Sequence, residues 1–195
     1  MITRNWILLA YAPAALVFFI STVNSANLQS DDRRVLSAVA HTFCESVESG
    51  YAILDSSAGV PSDLGIEIQS LKLDQNLVQS LMDRNPHVPR VPSDADYGCL
   101  RLTDSALIKQ AINSKLKRVH KGSEDIPQWE AFYEGFPGSH GVASFSLPAY
   151  SSVGDDAIVY VTYTCGSLCG TGSFYFLKRA DGWWSVVKTT QMWIS

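Results

Sequence analysis

The last third of the chain constrains the fold most, because four of its segments are rich in aromatic and β-branched residues. These segments are Val142 to Leu147, Ala157 to Thr164, Phe174 to Lys178 and Trp183 to Ile194. Turn residues separate the segments, and Asp181-Gly182 between the last two is a strong signal for a tight β-hairpin. The pattern predicts a C-terminal antiparallel sheet of the meander type.

Helical patterns dominate the preceding part of the chain. A helix start at Ser30-Asp31-Asp32 precedes apolar residues that recur once per turn from Val35 to Val47. Shorter helices are predicted after Asp74, after Thr103-Asp104 and at Pro127, and short strands at Tyr51 to Asp55, Leu64 to Ile68 and Gly98 to Leu102. Helices followed by strands predict an α+β fold in which the N-terminal helices pack on one face of a curved C-terminal sheet.

Size and composition fit one folded domain without a nucleic-acid partner. The chain has 195 residues, of which 46% are hydrophobic and 17% are charged, so it has enough apolar surface to bury a core. Its formal net charge is −4. Nucleic-acid binding usually requires a strongly basic face, so this class of partner is not expected.

The N-terminus has the pattern of a secretory signal peptide. Arg4 precedes the apolar run Ile7 to Val23, and small residues follow at Ser25-Ala26. We expect residues 1–26 to be a cleaved signal peptide and residues 27–195 to be a single periplasmic or secreted domain, without stable membrane insertion once the leader is removed. An uncleaved anchor is the alternative, because the run approaches the roughly 17–25 residues of a membrane span.

Export makes disulfides the expected state of the four cysteines. Three pairings are possible, and the simplest joins Cys165 to Cys169 and Cys44 to Cys99. A redox pair at Cys165 and Cys169 is an alternative, although oxidoreductases favour two intervening residues and a helix N-terminus. Zinc is a third possibility, but the spacing does not select it. No metal or cofactor is therefore predicted.

Three motifs stand out in the C-terminal region: Trp129-x-x-Phe132-Tyr133-x-x-Phe136-Pro137-Gly138-Ser139, Cys165-Gly-Ser-Leu-Cys-Gly-Thr-Gly and Asp181-Gly182-x-Trp184. With these motifs the chain resembles, from about Trp129 to Ser195, a group of exported bacterial proteins of unknown function. It departs from them at His140, where they commonly have Ser, and at Leu147 to Tyr150. The resemblance implies an exported bacterial domain and brings no activity, cofactor or substrate. The order of helices and sheet is similar, by analogy, to cystatin-like or NTF2-like folds.

Aromatic residues supply the candidate binding surface. Side chains alternate between the two faces of a strand, so a face that no helix covers would display part of this aromatic set to a ligand. The candidate residues are Trp129, Tyr133, Tyr160, Tyr163, Tyr175, Trp184 and Trp193.

Binding without catalysis is the predicted function, and the partner is an unknown protein or cell-envelope ligand. No catalytic residue is predicted. An envelope enzyme is the alternative, either a hydrolase that uses Glu130 or Glu134, one turn apart on a helix, or a thiol oxidoreductase that uses Cys165 and Cys169.

Overall fold

The structure is a computed structural model that describes residues 15–46, 50–55, 60, 74–86, 89–116 and 126–195. By its internal contacts the chain divides into two units, Met1–Asp31 and Asp32–Ser195. The architecture below is that of the second unit. The expected strand at Leu64 to Ile68 lies outside the described residues.

The described residues form four helices: α1 at Ala15–Glu45, α2 at Gln75–Arg84, α3 at Ser105–Leu116 and α4 at Ile126–Gly135. Asp74 caps α2 as expected, because its side chain accepts hydrogen bonds from the backbone N–H groups of Asn76 and Leu77. The predicted start of the first helix at Ser30 is wrong. No proline or glycine separates Ala15 from Ser30, so helical hydrogen bonding continues through this stretch. Among the described residues, no helix combines the length and apolar character needed to cross a membrane.

In the part of the chain that the structure describes, seven strands form one open, mixed sheet in the order β2-β1-β3-β5-β6-β7, with β4 paired to β5 beside β3. The strands are β1 at Tyr51–Asp55, β2 at Leu100–Thr103, β3 at Ser139–Phe145, β4 at Ala149–Tyr150, β5 at Asp156–Gly166, β6 at Cys169–Ala180 and β7 at Trp183–Ile194. The α+β class and the C-terminal antiparallel meander are confirmed. The predicted strands at Tyr51 to Asp55 and Gly98 to Leu102 extend this sheet as β1 and β2, and β1 runs parallel to both β2 and β3, which makes the whole sheet mixed. Long connections that contain helices permit this parallel pairing.

Helices cover both faces of the sheet, which corrects the expected one-sided arrangement. On one face, α1 packs against a large core that includes Val159 and Val161 of β5. On the other face, α2 packs against Ile158 and Tyr160 of the same strand. On this second face, α3 and α4 also pack around Ile53 of β1. Because β5 carries apolar residues at consecutive positions, both of its faces must be shielded from water.

A buried ion pair joins the layers. Asp32 of α1 is 5% exposed and accepts a hydrogen bond from the Arg84 guanidinium at 2.6 Å, and another from the Tyr150 hydroxyl at 2.8 Å. The same guanidinium donates to the Pro148 carbonyl and lies 5.4 Å from the centroid of the Tyr150 ring. Burial raises the pKa of the Tyr150 hydroxyl, and the neighbouring Asp32 charge adds to this effect. The network fixes α1, α2 and β4 to one another.

The other end of α1 is held by a disulfide and by polar contacts to the loop before β2. Cys44 is bonded to Cys99, with a Cα–Cα distance of 5.7 Å. His41, expected to be a solvated side chain, is exposed but lies 3.0 Å from the Asp96 carboxylate. The Gly98 backbone N–H and then the His41 side chain lower the pKa of Asp96. The loop is therefore clamped along the exposed side of α1.

We predict that Arg84→Ala lowers the free energy of unfolding by about 3 kcal/mol, because it leaves the Asp32 carboxylate buried without its cation. Urea unfolding of the purified protein measures this loss. Arg90→Ala is the matched control, since Arg90 is largely exposed where it pairs with Asp104 and should change stability by less than about 1 kcal/mol. Equal losses in the two variants would contradict a special role for the buried pair.

Candidate functional site

The structure does not bring the seven aromatic residues of the predicted surface together. Tyr163, Tyr175 and Trp184 pack into the core beneath α1. Tyr160 and Trp193 lie on the opposite face, where Tyr160 is fully buried. Trp129 and Tyr133 are on α4, half-buried at the surface. The first five therefore take part mainly in packing, and the pair on α4 is the part of the set that borders a pocket.

A hydrogen bond explains the placement of Trp193 and Tyr160. The Trp193 indole N–H donates to the Tyr160 hydroxyl at 2.8 Å. Gly172 of β6 lies against this pair, and a Cβ there would collide with both the indole nitrogen and the hydroxyl. Only glycine leaves enough room for this hydrogen-bonded pair, so Gly172 at the end of the Cys165-Gly-Ser-Leu-Cys-Gly-Thr-Gly motif allows β7 to pack against β6.

The candidate site is an open pocket of about 650 Å³, which we call the α4 pocket. Among the described residues, four residues of α4 and one residue of the β5–β6 turn line it: Trp129, Glu130, Tyr133, Glu134 and Ser167. The Trp129 and Tyr133 rings have centroids 5.9 Å apart and planes inclined by 36°. Both glutamate side chains are exposed. The pocket thus combines two aromatic rings with two carboxylates.

Helical spacing around Phe132 builds the α4 wall of the pocket. Phe132 is fully buried and packs with Ile53 and Ile108. Its ring contacts Trp129 at 5.4 Å and Tyr133 at 5.2 Å between centroids, in edge-to-face geometry that favours aromatic pairs. Trp129 and Tyr133 therefore lie on either side of the buried Phe132, and the Phe132 ring supports both of them from the core side.

The opposite wall is the β5–β6 hairpin, whose turn is closed by the second disulfide. Cys165 and Cys169 are bonded with a Cα–Cα distance of 5.1 Å, so both expected cysteine pairs are present. Between them, Ser167 and Leu168 form the tip, where Leu168 is 89% exposed. The Tyr133 hydroxyl donates to the Cys165 carbonyl at 2.8 Å. This bond links α4 directly to the base of the disulfide-closed turn.

A second tyrosine supports the same junction. The Tyr163 hydroxyl donates to the His140 carbonyl at 2.6 Å, and the Tyr133 hydroxyl lies 3.3 Å from that carbonyl oxygen. Burial raises the pKa of the Tyr133 hydroxyl. Burial also raises the pKa of Tyr163, with a smaller contribution from Tyr133. A tyrosine hydroxyl is protonated at neutral pH even without such a shift, so both hydroxyls can act as hydrogen-bond donors.

The cysteine geometry bears on the chemistry of the site. All four cysteines are in disulfides, so none is left as a thiolate ligand for zinc. Cys165 and Cys169 sit in a β-hairpin, without the helix N-terminus that lowers the thiol pKa in oxidoreductase motifs. Within the described ranges, no group of three potential metal-ligating side chains occurs.

The turn residues Ser167 and Leu168 were not anticipated as part of a site, and Glu130 and Glu134 were considered only as a hydrolase pair. The sequence does contain a signal for the α4 wall. An aromatic residue followed by a glutamate occurs twice, at Trp129-Glu130 and Tyr133-Glu134, and the two pairs are one helical turn apart. The juxtaposition with Ser167 depends on tertiary structure. Comparison of the chain with known protein families, curated proteins and solved structures finds no match.

We predict that Gly172→Ala lowers the free energy of unfolding by about 2 kcal/mol, because the added methyl group must displace Trp193 from Tyr160. Urea unfolding followed by tryptophan fluorescence measures the change. Gly166→Ala provides the control, since its Cβ would lie 3.6 Å from the Cys169 Cβ, an ordinary contact. A Gly172→Ala protein as stable as the Gly166→Ala protein would contradict this packing.

We also predict delayed ionisation of five of the eight tyrosines. Burial raises the pKa of Tyr97, Tyr133, Tyr150, Tyr163 and Tyr175. A raised folded-state pKa contributes stability that is present below the unfolded value of about 10 and is lost as the pH rises above it. Spectrophotometric titration of tyrosinate should show these five groups ionising later in the native protein than in urea. Complete titration of the native protein near pH 10 would contradict the prediction.

Proposed function

We propose that the protein is an exported, non-catalytic binding module that recognises a protein or another component of the cell envelope through the α4 pocket. The observation that carries the proposal is the half-buried pair of rings, Trp129 and Tyr133, on the wall of an open pocket. Aromatic side chains that are held rigidly beside a concave surface are frequent anchors in protein interfaces.

Rigidity of the pocket walls supports binding as the role. Phe132 fixes both rings from the core side, and the Tyr133 hydroxyl is tied to the Cys165 carbonyl. A ligand would therefore order few side chains when it binds, which reduces the entropic cost of association. The volume of about 650 Å³ falls in the range of ligand pockets.

The cysteines and the N-terminus support the proposed location of the protein outside the cytosol. Two disulfides suit an oxidising compartment, and cytosolic proteins rarely keep such bonds. The signal-peptide pattern of residues 1–26 and the resemblance of the region from Trp129 to Ser195 to exported bacterial proteins support the finer assignment to the periplasm or the secreted fraction.

Binding is favoured over the two enzymatic alternatives on physical grounds. Glu130 and Glu134 are exposed, whereas a glycosidase-type acid depends on burial in an apolar pocket. Cys165 and Cys169 close a β-turn, which suits a structural bridge that shapes a loop. Neither set has the surroundings that its chemistry requires.

Capture from envelope extract tests the proposal. The full chain, expressed with its own leader and purified, is immobilised and exposed to extract, and retained components are identified by mass spectrometry. We expect Trp129→Ala to weaken retention of a specific partner about 30-fold, since loss of an aromatic anchor costs about 2 kcal/mol. Thermal unfolding of the variant must remain cooperative for the comparison to count.

Trp183→Ala is the matched control, because Trp183 is 80% exposed at the start of β7 and does not line the pocket. This variant should retain the partner as the unmodified protein does. Equal retention by all three proteins would contradict binding through the α4 pocket.

A further inference from the structure

We infer that β7 is an edge strand protected against pairing with the β7 strand of a second copy of the chain. The features that protect it are a bulge at Val187 and the charge of Lys188. The inference concerns the assembly of the protein and does not depend on the proposed binding function. Neither Val187 nor Lys188 lines the α4 pocket.

The outer side of β7 is an exposed edge of the sheet. β7 ends the strand order, and among the described residues β6 is the strand that pairs with it. Seven of its twelve residues are exposed, whereas a typical strand has about five or six residues in all. The outward N–H and C=O groups of an edge strand can pair with a strand of another chain. β7 is therefore a long edge that is open to such pairing.

The sequence of β7 favours strand pairing. Trp183–Ile194 contains three tryptophans and several β-branched residues, no proline or glycine, and a single charged residue. Segments with high β-propensity, little charge and no proline are typical of chains that associate strand to strand. Three apolar side chains of β7 are largely exposed, namely Trp183 at 80%, Val187 at 55% and Ile194 at 73%. An edge of this composition needs a feature that prevents self-association.

A bulge interrupts the middle of the edge. Val186 and Lys188 pair with consecutive residues of β6, so Val187 is an extra residue with no partner in that strand. The alternation of exposure along β7 ends there, because Val187, Lys188 and Thr189 are all exposed. Met192 is a second extra residue of the same kind. Each bulge bends the strand and displaces its hydrogen-bonding groups, so a second strand would meet an irregular ladder.

Lys188 carries the charge of β7 at the position where self-pairing would concentrate it. The midpoint of Trp183–Ile194 lies between Lys188 and Thr189. If two copies paired antiparallel about a twofold axis along the whole strand, their Lys188 side chains would be directly opposite or diagonal neighbours. Like charges in these positions repel and destabilise the pair. The Lys188 ammonium lies 5.7 Å from the centroid of the Phe176 ring, so this charge stays on the surface of the sheet.

Sedimentation velocity of the purified full chain, expressed with its own leader, tests the inference. The test variant combines deletion of Val187 with Lys188→Thr. The deletion makes the β6–β7 ladder regular at this point, and threonine keeps the β-propensity of the position. We expect the unmodified chain to remain monomeric at about 100 µM and the variant to dimerise with a dissociation constant at least about tenfold lower.

Two further variants locate the effect on the edge. Lys178→Thr with the same deletion removes an exposed lysine from β6, which has a paired strand on each side, and this variant should associate about threefold more weakly than the test variant. Thr189→Lys, added to the test variant, returns a charge to the middle of the edge and should restore the monomer. Hydrogen exchange of the dimer should show additional protection of the β7 amides.

Three results would overturn the inference: the unmodified chain self-associates with protection of its β7 amides, the test variant unfolds cooperatively but stays monomeric, or Thr189→Lys leaves the association unchanged. If the deletion prevents folding, Lys188→Thr and Lys178→Thr are compared without it. The first should then self-associate about threefold more strongly than the second, and equal behaviour would contradict the role of Lys188.

Discussion

Apolar residues at consecutive positions along β5 require cover on both faces of the sheet, and this requirement organises the molecule. Val159 points into the core beneath α1, whereas Ile158 and Tyr160 point into the core beneath α2. A strand with one polar face needs only one layer of helices, because its polar face can remain in contact with water. The antiparallel centre of this sheet is instead buried as the centre of a three-layer structure, so helices from separate parts of the sequence must reach opposite faces.

A buried ion pair near Asp32 and a disulfide near the end of α1 tie this helix to the rest of the domain. Asp32 binds Arg84 and Tyr150, and Cys44 is bonded to Cys99. Twelve residues of helix place these points about 18 Å apart along the axis. The cost of removing both charges from water offsets much of the attraction in a buried ion pair. The Asp32–Arg84 contact therefore acts mainly by determining how α1 and α2 are aligned with each other. The disulfide closes a long loop, for which the chain-entropy model gives about 4 kcal/mol.

Local signals in the sequence predicted the elements that depend on neighbouring residues. Asp74 capped α2 as expected, and Asp181-Gly182 forms the β6–β7 turn with φ values of 51° and 81°, the conformation that favours these residue types. Parallel pairing of β1 with β3 joins residues far apart in the sequence and had no such signal. For the candidate surface, the alternation of side chains along a strand is enough to place Tyr160 and Tyr163 on opposite faces of the sheet, since they are three positions apart on β5. The contact of Tyr133 with Cys165 required the tertiary structure.

Tyr133 connects the stability of the hairpin with the geometry of the α4 pocket, because its ring lines the pocket and its hydroxyl is bound to the Cys165 carbonyl. The adjacent disulfide closes only a short loop, for which the chain-entropy model gives about 2 kcal/mol, roughly half of the value for the Cys44–Cys99 loop. It acts on the turn that carries Ser167, limiting the conformations that this wall of the pocket adopts. A wall ordered before binding costs a ligand less conformational entropy. Under the proposed binding function, this short covalent bridge would serve ligand recognition by holding the turn in one conformation.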